Sequence, residues 1–233
     1  MKKIHILLAF ALVSGSVMAQ SSKGGGIKYG IRGGVNLAQV SLTGKDATKE
    51  KKDGISTVTS FYFGANVEIP VSETFSIQPG LGIGGKGTKI NFNTMVTVPF
   101  LGPTSASYVR KTDIMYLEMP INAVAKIKNF YLGAGPYIAY GIAGKDKIEV
   151  TGSLLGIKSN LVPPKDGNVT FGKNAGEVNP FDYGVNFLAG YQLDNGFNLG
   201  VNYGLGLGKS VLESGYDAKA SNRVFSVLVG FSF

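Results

Sequence analysis

The side chains in this sequence that are best able to take part in chemistry are charged residues within otherwise apolar stretches. They are Lys28, Arg32, Glu68, Lys86, Glu118, Lys126 and Asp182. Glu68 and Glu118 are carboxylates of the kind that act in pairs in glycoside hydrolysis. Their positions do not predict that they meet, whereas opposite charges in a confined interior must pair or stay hydrated. We therefore expect a structural network of ion pairs, with Arg32 and Glu68 on neighbouring strands and Glu118 beside Lys or Tyr. An ion or proton path through Glu118 is the alternative.

Nucleophilic and zinc chemistry is poorly supported by the composition. The chain has no Cys, and its one histidine, His5, lies in a predicted signal segment. Cys/His and Ser/His sites and ordinary zinc sites are therefore not expected in the mature protein. We expect no catalytic residue, no metal and no cofactor, and thus a protein that is not an enzyme.

The first nineteen residues have the pattern of a secretory signal peptide. Lys2 and Lys3 precede an apolar run from Ile4 to Val13, and small residues end the segment at Ala19. The apolar run is too short to span a bilayer comfortably. We predict cleavage before Gln20, with residues 20–233 forming one domain.

Two stretches near the C-terminus alternate in a way that predicts strands with a lipid-facing surface. From Phe197 to Leu207 every second residue is apolar, and the residues between them are Gly and Asn. From Asn222 to Phe233 one face carries Phe and Val, and the other is mostly small or polar. A strand with lipid outside and a crowded lumen inside has this pattern.

The same alternation recurs along the chain and predicts eight strands, at about 27–38, 58–69, 75–86, 113–127, 130–143, 181–193, 197–207 and 222–233. Their connections are alternately long and short, and the stretches 87–110 and 144–180 are predicted as long loops, with strand ends extending beyond the membrane as an alternative for 87–110. Aromatic residues gather near both ends of the outward faces. These features indicate an all-β fold, an eight-stranded antiparallel up-and-down transmembrane β-barrel of the bacterial outer membrane.

The net charge of +8 permits more than one kind of partner. A basic patch can bind nucleic acid, but the basic residues here are scattered among acids in the loops. A weakly cationic exterior facing anionic lipid headgroups fits better, so we expect outer-membrane lipid and no nucleic acid.

Five segments resemble the PorT-like outer-membrane β-barrel domain family of Gram-negative bacteria. The segments are Gly30-Ile31-Arg32-Gly33-Gly34-Val35-Asn36, Tyr116-Leu117-Glu118-Met119-Pro120-Ile121, Gly133-Ala134-Gly135-Pro136-Tyr137, Phe181-Asp182-Tyr183-Gly184 and Gly230-Phe231-Ser232-Phe233. The resemblance depends on their order and spacing and extends over most of the mature chain. The resemblance implies an outer-membrane barrel, and one branch of the family is associated with protein secretion and gliding machinery. The terminal Phe231 and Phe233 also resemble the sorting signal that the barrel-assembly machinery binds.

The functional expectation is a monomeric, non-enzymatic barrel with a narrow filled lumen. Its long external loops would bind an unidentified partner or support the envelope, with a link to secretion machinery as one outcome. Two alternatives remain open. One is a small channel, and the other is a soluble lipocalin-like barrel with an apolar ligand inside.

Overall fold

The computed structural model describes residues 26–44, 54–98, 102–154, 157–160, 163–172, 174, 177–208 and 219–233. The predicted signal peptide and its cleavage site lie outside these residues. Among the residues that the structure describes, no helix is long and apolar enough to cross a membrane.

The described chain forms eleven strands in one sheet. In chain order they are β1 (Lys28–Thr43), β2 (Ile55–Ser56), β3 (Val58–Pro70), β4 (Phe75–Val98), β5 (Gly102–Ile127), β6 (Phe130–Leu154), β7 (Ile157–Asn160), β8 (Lys165–Asn168), β9 (Phe181–Gln192), β10 (Phe197–Gly206) and β11 (Lys219–Ser232). Eight of them are long enough to be the strands that the alternation predicts. The other three, β2, β7 and β8, are short additions at the edges of β4 and β6.

The eight long strands close into a ring. Each pairs antiparallel with its neighbour in the order β1, β3, β4, β5, β6, β9, β10, β11, and β11 pairs back with β1 from Ser232 opposite Gly30 to Lys219 opposite Thr43. Every interior strand edge is thereby paired, which is the condition for a sheet to stand in hydrocarbon. The eight-stranded antiparallel up-and-down barrel is confirmed.

The outward faces of the ring are apolar and exposed. Phe63 is 60% exposed, Leu199 58% and Val229 56%, although all three belong to well-paired strands. The alternate residues point into the ring and include the buried Asn36, Asn122 and a set of glycines. This distribution is the reverse of a soluble barrel and matches one bathed in lipid.

Aromatic residues flank the apolar band at both ends. At the end with the short turns, the rings of Phe130 and Tyr191 meet edge to face with centroids 4.9 Å apart. At the end with the long connections, Tyr140 and Phe181 meet in the same way at 5.0 Å. Such girdles mark the two interfaces of a membrane barrel. We call these ends the short-turn end and the long-loop end.

The stretches predicted as long loops contain much more strand than expected. From Gly82 opposite Glu118, β4 and β5 pair without interruption up to Val98 opposite Gly102, so residues 87–98 and 102–110 are two paired antiparallel strands. β6 continues to Leu154, and β7 and β8 add to it within the predicted loop 144–180. Strand ends that extend past the apolar band, the alternative expected for 87–110, are what the structure has in its described residues. The loop prediction was wrong for the described residues of both stretches, because a polar composition is equally compatible with a sheet in water.

A β-bulge marks the point where β6 leaves the barrel. Met115 lies opposite Ala143 and Tyr116 opposite Gly141, so Ile142 has no partner on β5. Both Ile142 and Ala143 are exposed. A bulge of this kind bends and twists its strand, and here it stands where the chain passes from the ring into the projecting sheet.

Close approach of backbones explains one of the inward glycines. A Cβ atom on Gly135 would overlap the carbonyl oxygen of Ile121 and lie 2.6 Å from the Asn122 Cα. A Cβ on the outward Gly33 would be in ordinary van der Waals contact, with Phe63 Cδ2 at 3.6 Å. The narrow ring therefore requires glycine at position 135 and tolerates a side chain at position 33.

We predict that Gly135→Ala lowers the free energy of unfolding in lipid vesicles by about 1–3 kcal/mol, the usual cost of overpacking. Gly33→Ala is the matched control and should leave it unchanged or raise it slightly, because alanine reduces the entropy of the unfolded chain. Urea titration followed by far-UV circular dichroism measures both. Equal effects of the two substitutions would contradict the close-approach explanation.

Candidate functional site

The charged residues predicted to face inward converge on two clusters in the lumen. Lys86, Glu118 and Asp182 form the first, near the long-loop end, and Glu68 and Lys126 belong to the second, near the short-turn end. Lys28 lies outside both clusters with an exposed side chain, because it begins β1 at the rim of the barrel. Strand alternation places the other six in the lumen, although they come from five different strands.

The first cluster is centred on one ammonium group. Lys86 Nζ lies 2.6 Å from Glu118 Oε2 and 3.0 Å from Asp182 Oδ2, and the three side chains are 6%, 11% and 1% exposed. The hydroxyl of Tyr137 donates to Asp182 Oδ2 at 3.2 Å. The same ammonium lies over the Tyr137 ring, 4.2 Å from its centroid, and 5.3 Å from that of Tyr116. Two carboxylates and two aromatic faces thus compensate a single buried cation.

The second cluster couples an ion pair to amide groups. Lys126 Nζ lies 2.6 Å from Glu68 Oε1 and donates to Oε2 at 2.7 Å and to Gln192 Oε1 at 3.0 Å. Gln78 Nε2 donates to Glu68 Oε2 at 3.2 Å, and Arg32 donates to Gln78 Oε1 at 3.4 Å. Arg32 and Glu68 are therefore connected through the Gln78 amide.

Arg32 has its shortest side-chain hydrogen bond with a neutral partner. Its Nη2 donates to Asn66 Oδ1 at 2.9 Å. Together with Arg32, the two clusters contain three cations and three anions. The cations are Arg32, Lys86 and Lys126, and the anions are Glu68, Glu118 and Asp182. The first cluster alone has one anion in excess and the second is balanced, so the Arg32 cation brings the summed charge of these six residues to zero.

Side-chain hydrogen bonds inside the lumen join the first and last strands of the ring. Ser226 Oγ donates to Asn36 Oδ1 at 2.7 Å, and Asn36 Nδ2 donates to the Gly85 carbonyl at 3.1 Å. The sequence places these side chains on inward faces, but a contact between residues 190 positions apart requires the closure of the ring.

Apolar side chains close the lumen at the long-loop end. Ile114, Tyr116, Tyr137, Ala139 and Val178 form a buried cluster, against which Val169 and Phe171 pack. The last three belong to the chain between β8 and β9, within the stretch predicted as a loop. The alternation pattern carries no signal for this inward fold, because the segment is not a regular strand.

A small cavity remains between the two charged clusters. Arg32, Tyr62, Glu118, Asn122 and Asn186 are among the residues that line it. Within the described residues, Asn122 Oδ1 is buried without a hydrogen-bond partner. The cavity is polar and narrow, so the arrangement suits a filled lumen better than an open pore.

The two terminal aromatic residues predicted as an assembly signal lie on the outer surface at the short-turn end. The ring of Phe231 meets that of Phe197 edge to face at 5.0 Å and is 6.3 Å from that of Phe233. Phe233 is also hydrogen-bonded through its backbone to Tyr29. These positions belong to the aromatic girdle, and their recognition during biogenesis stays a prediction.

A closed antiparallel ring, an apolar exterior and a compensated ionic lumen define the class of transmembrane β-barrels. The sequence matches the family described as "Outer membrane protein beta-barrel domain" over residues 18–211. That match covers more than half of the chain, which therefore belongs to this family and is located in the bacterial outer membrane. The soluble lipocalin-like alternative does not agree with this location or with the apolar exterior.

Solved structures with a similar arrangement come from several bacteria. Ail, the attachment invasion locus protein of Yersinia pestis, is 13% identical with a TM-score of 0.38, and the alignment covers 89% of this chain and 99% of that one. The outer membrane protease OmpT from Escherichia coli is 9% identical with a TM-score of 0.41, covering 93% and 100%. At such scores neither likeness indicates what this chain does. No curated protein matches the sequence.

We predict that Lys86→Met lowers the free energy of unfolding by about 3–5 kcal/mol, because it leaves Glu118 and Asp182 buried without their cation. Adding Glu118→Gln and Asp182→Asn to Lys86→Met should restore much of the loss, since the uncompensated charges are then removed. Chemical denaturation in lipid vesicles measures each variant.

The control is Lys165→Gln, which removes an exposed cation at the start of β8. It should produce no measurable change, because exposed charges contribute little to stability. A Lys86→Met variant as stable as this control would show that the first cluster does not hold the barrel together.

Proposed function

We propose that this chain is a non-enzymatic, monomeric, PorT-like barrel that acts through the sheet it carries beyond the lipid. The supporting observation is the length of three adjacent strands. β4, β5 and β6 contain 24, 26 and 25 residues, whereas β9 and β10 contain 12 and 10. A strand needs about 9–11 residues to cross a membrane. More than ten residues of each long strand therefore extend past the long-loop end.

These extensions form what we call the extramembrane sheet, made of residues 87–98, 102–113 and 144–154 with β2, β7 and β8 at its edges. One face continues the lumen side of the barrel and carries the apolar residues Ile90, Phe92, Tyr108, Ile148 and Val150 around an ion pair between Arg110 and Asp146. Phe92 is 39% exposed, and its ring is 6.5 Å from that of Tyr108. Apolar surface outside the lipid is typical of a surface that binds another protein.

The lumen supports a role that does not involve catalysis or bulk transport. Glu68, Glu118 and Asp182, the buried lumen carboxylates of the described residues, all accept contacts from lysine ammonium groups. A general acid or base needs access to its substrate, whereas these groups are enclosed by the barrel wall. Among the described residues, no three His, Cys, Asp or Glu side chains are grouped so that they could hold a metal ion.

The partner that we propose is a protein at the cell surface or in the envelope. The PorT-like resemblance makes a component of secretion machinery one such partner. The barrel-assembly machinery would bind Phe231 and Phe233 during biogenesis, and outer-membrane lipid would surround the folded barrel. We propose no nucleic acid and no cofactor.

Neighbouring residues on opposite faces allow a direct test. A photo-crosslinking amino acid at Phe92, on the lumen-side face, should capture one protein in living cells. The same amino acid at Asn93, on the other face, is the matched control and should capture little of that protein.

A truncation gives a second test. Replacing residues 90–110 by an Asn-Gly turn removes the two strands beyond the paired Lys89 and Lys111. The barrel should still fold, and partner recovery should be abolished. Equal capture from both positions, or recovery that survives the shortening, would refute the proposal.

A small channel is the second candidate, and the polar cavity beside Arg32 and Glu118 favours it. Planar-bilayer recording separates the candidates through Glu118→Gln. Under our proposal, wild type and variant both give baseline current and the variant is less stable. Stepwise conductance in wild type that changes in the variant would favour the channel.

A further inference from the structure

A row of lysines crosses the outward face of the extramembrane sheet. Lys89 on β4 lies opposite Lys111 on β5, and Lys111 lies opposite Lys147 on β6. Adjacent strands are about 4.8 Å apart, so three cations lie side by side across the sheet. We call Lys89, Lys111 and Lys147 the lysine row.

The row lies just above the apolar band. On β5, Met115 is the last apolar outward residue before Asp113, and Lys111 is four residues beyond Met115. At about 3.4 Å per residue and a tilt of about 40°, this is about 10 Å along the membrane normal. A headgroup layer is about 5–8 Å thick, and lysine side chains are long enough to reach back to it. The ammonium groups are therefore within reach of the headgroup layer.

Like charges directly opposite each other destabilise a sheet, and the row is only partly compensated. Lys111 Nζ is 2.8 Å from Asp113 Oδ2, and Lys147 Nζ is 2.9 Å from Glu149 Oε1. Asp166 also lies opposite Lys147 on β8, but Asp113 lies opposite a further cation, Lys145 on β6, so cations remain in excess on this face. The hydrogen bond to Glu149 raises the pKa of Lys147 further above neutrality. The Lys111 and Lys147 side chains are still 45% and 50% exposed, so both can bind an additional anion.

We propose that the lysine row is a binding site for the phosphate groups of a lipid headgroup in the leaflet at the long-loop end. Each phosphate supplies an anion for the row at a depth that the lysine side chains reach. The acyl chains of such a lipid would pack on the outward apolar residues directly below, including Leu117 and Ile138, which are 37% and 56% exposed. This lipid site uses the face opposite to the proposed partner surface and does not depend on that partner.

The test uses the full chain refolded in zwitterionic micelles and titrated with bisphosphoryl lipid A, monophosphoryl lipid A and the dephosphorylated lipid. Affinity should rise with the number of phosphates and fall with ionic strength. The triple variant Lys89→Gln, Lys111→Gln, Lys147→Gln should bind bisphosphoryl lipid A at least about tenfold more weakly. Inorganic phosphate at the same phosphate concentration should not displace the lipid.

The matched control removes the same charge from three exposed lysines elsewhere, Lys28, Lys128 and Lys165. It should stay within about twofold of wild type, because screening confines each lysine's effect to its surroundings. Asp113→Asn with Glu149→Gln frees two lysines and should tighten binding. Equal losses in the two triple variants, affinity independent of phosphate number, or displacement by inorganic phosphate would overturn the proposal.

A stability measurement gives a second readout that a structural role would not produce. Without anionic lipid, the lysine-row variant should be as stable as wild type or more stable, because a like-charge contact is relieved. With bisphosphoryl lipid A, wild type should gain thermal stability and the variant should not. A variant destabilised equally under both conditions would contradict lipid binding.

Discussion

The requirement that every backbone polar group be hydrogen-bonded inside lipid determines the rest of this structure. A sheet with a free edge cannot satisfy it, so β11 must return to β1, and the pairing runs from Gly30 opposite Ser232 to Thr43 opposite Lys219. Once the ring is closed, the alternation of each strand leaves one face for hydrocarbon and the other for the lumen. The apolar exterior and the polar interior are two consequences of this closure.

The charged side chains in the lumen then have to be compensated. Eight strands enclose a space that side chains nearly fill, and a charge placed there has little access to bulk water. The structure meets this condition with a lysine shared between two carboxylates at one level and a lysine and carboxylate joined to amides at another. Arg32 lies between them and hydrogen-bonds to Asn66 and Gln78. The cost of burying these ions is offset when all partners are present, so the network favours one register of the ring.

Sequence alternation predicted the strands and the inward positions because both depend on a period of two residues. It could identify Glu68 and Arg32 as inward but not the Gln78 amide that connects them, since that contact depends on which residues of β3 and β4 lie opposite each other. The contact between Asn36 and Ser226 depends in the same way on closure. The packing of Phe171 and Val178 into the lumen could not be predicted, because an irregular segment has no periodic pattern in its sequence.

The failure at residues 87–110 has a more specific physical cause, and it shows where the membrane ends. Along β5 the outward residues are apolar up to Met115 and then become the mixed series Asp113, Lys111 and Val109. On the lumen-side face, Thr112 and Arg110 stand between the apolar Ile114 and Tyr108. The strand continues unbroken, but both faces become mixed where the surrounding medium changes from hydrocarbon to water. A search for one apolar face loses the strand at that point. Because neither face has to meet hydrocarbon beyond it, the two faces of one continuous sheet can serve different binding roles.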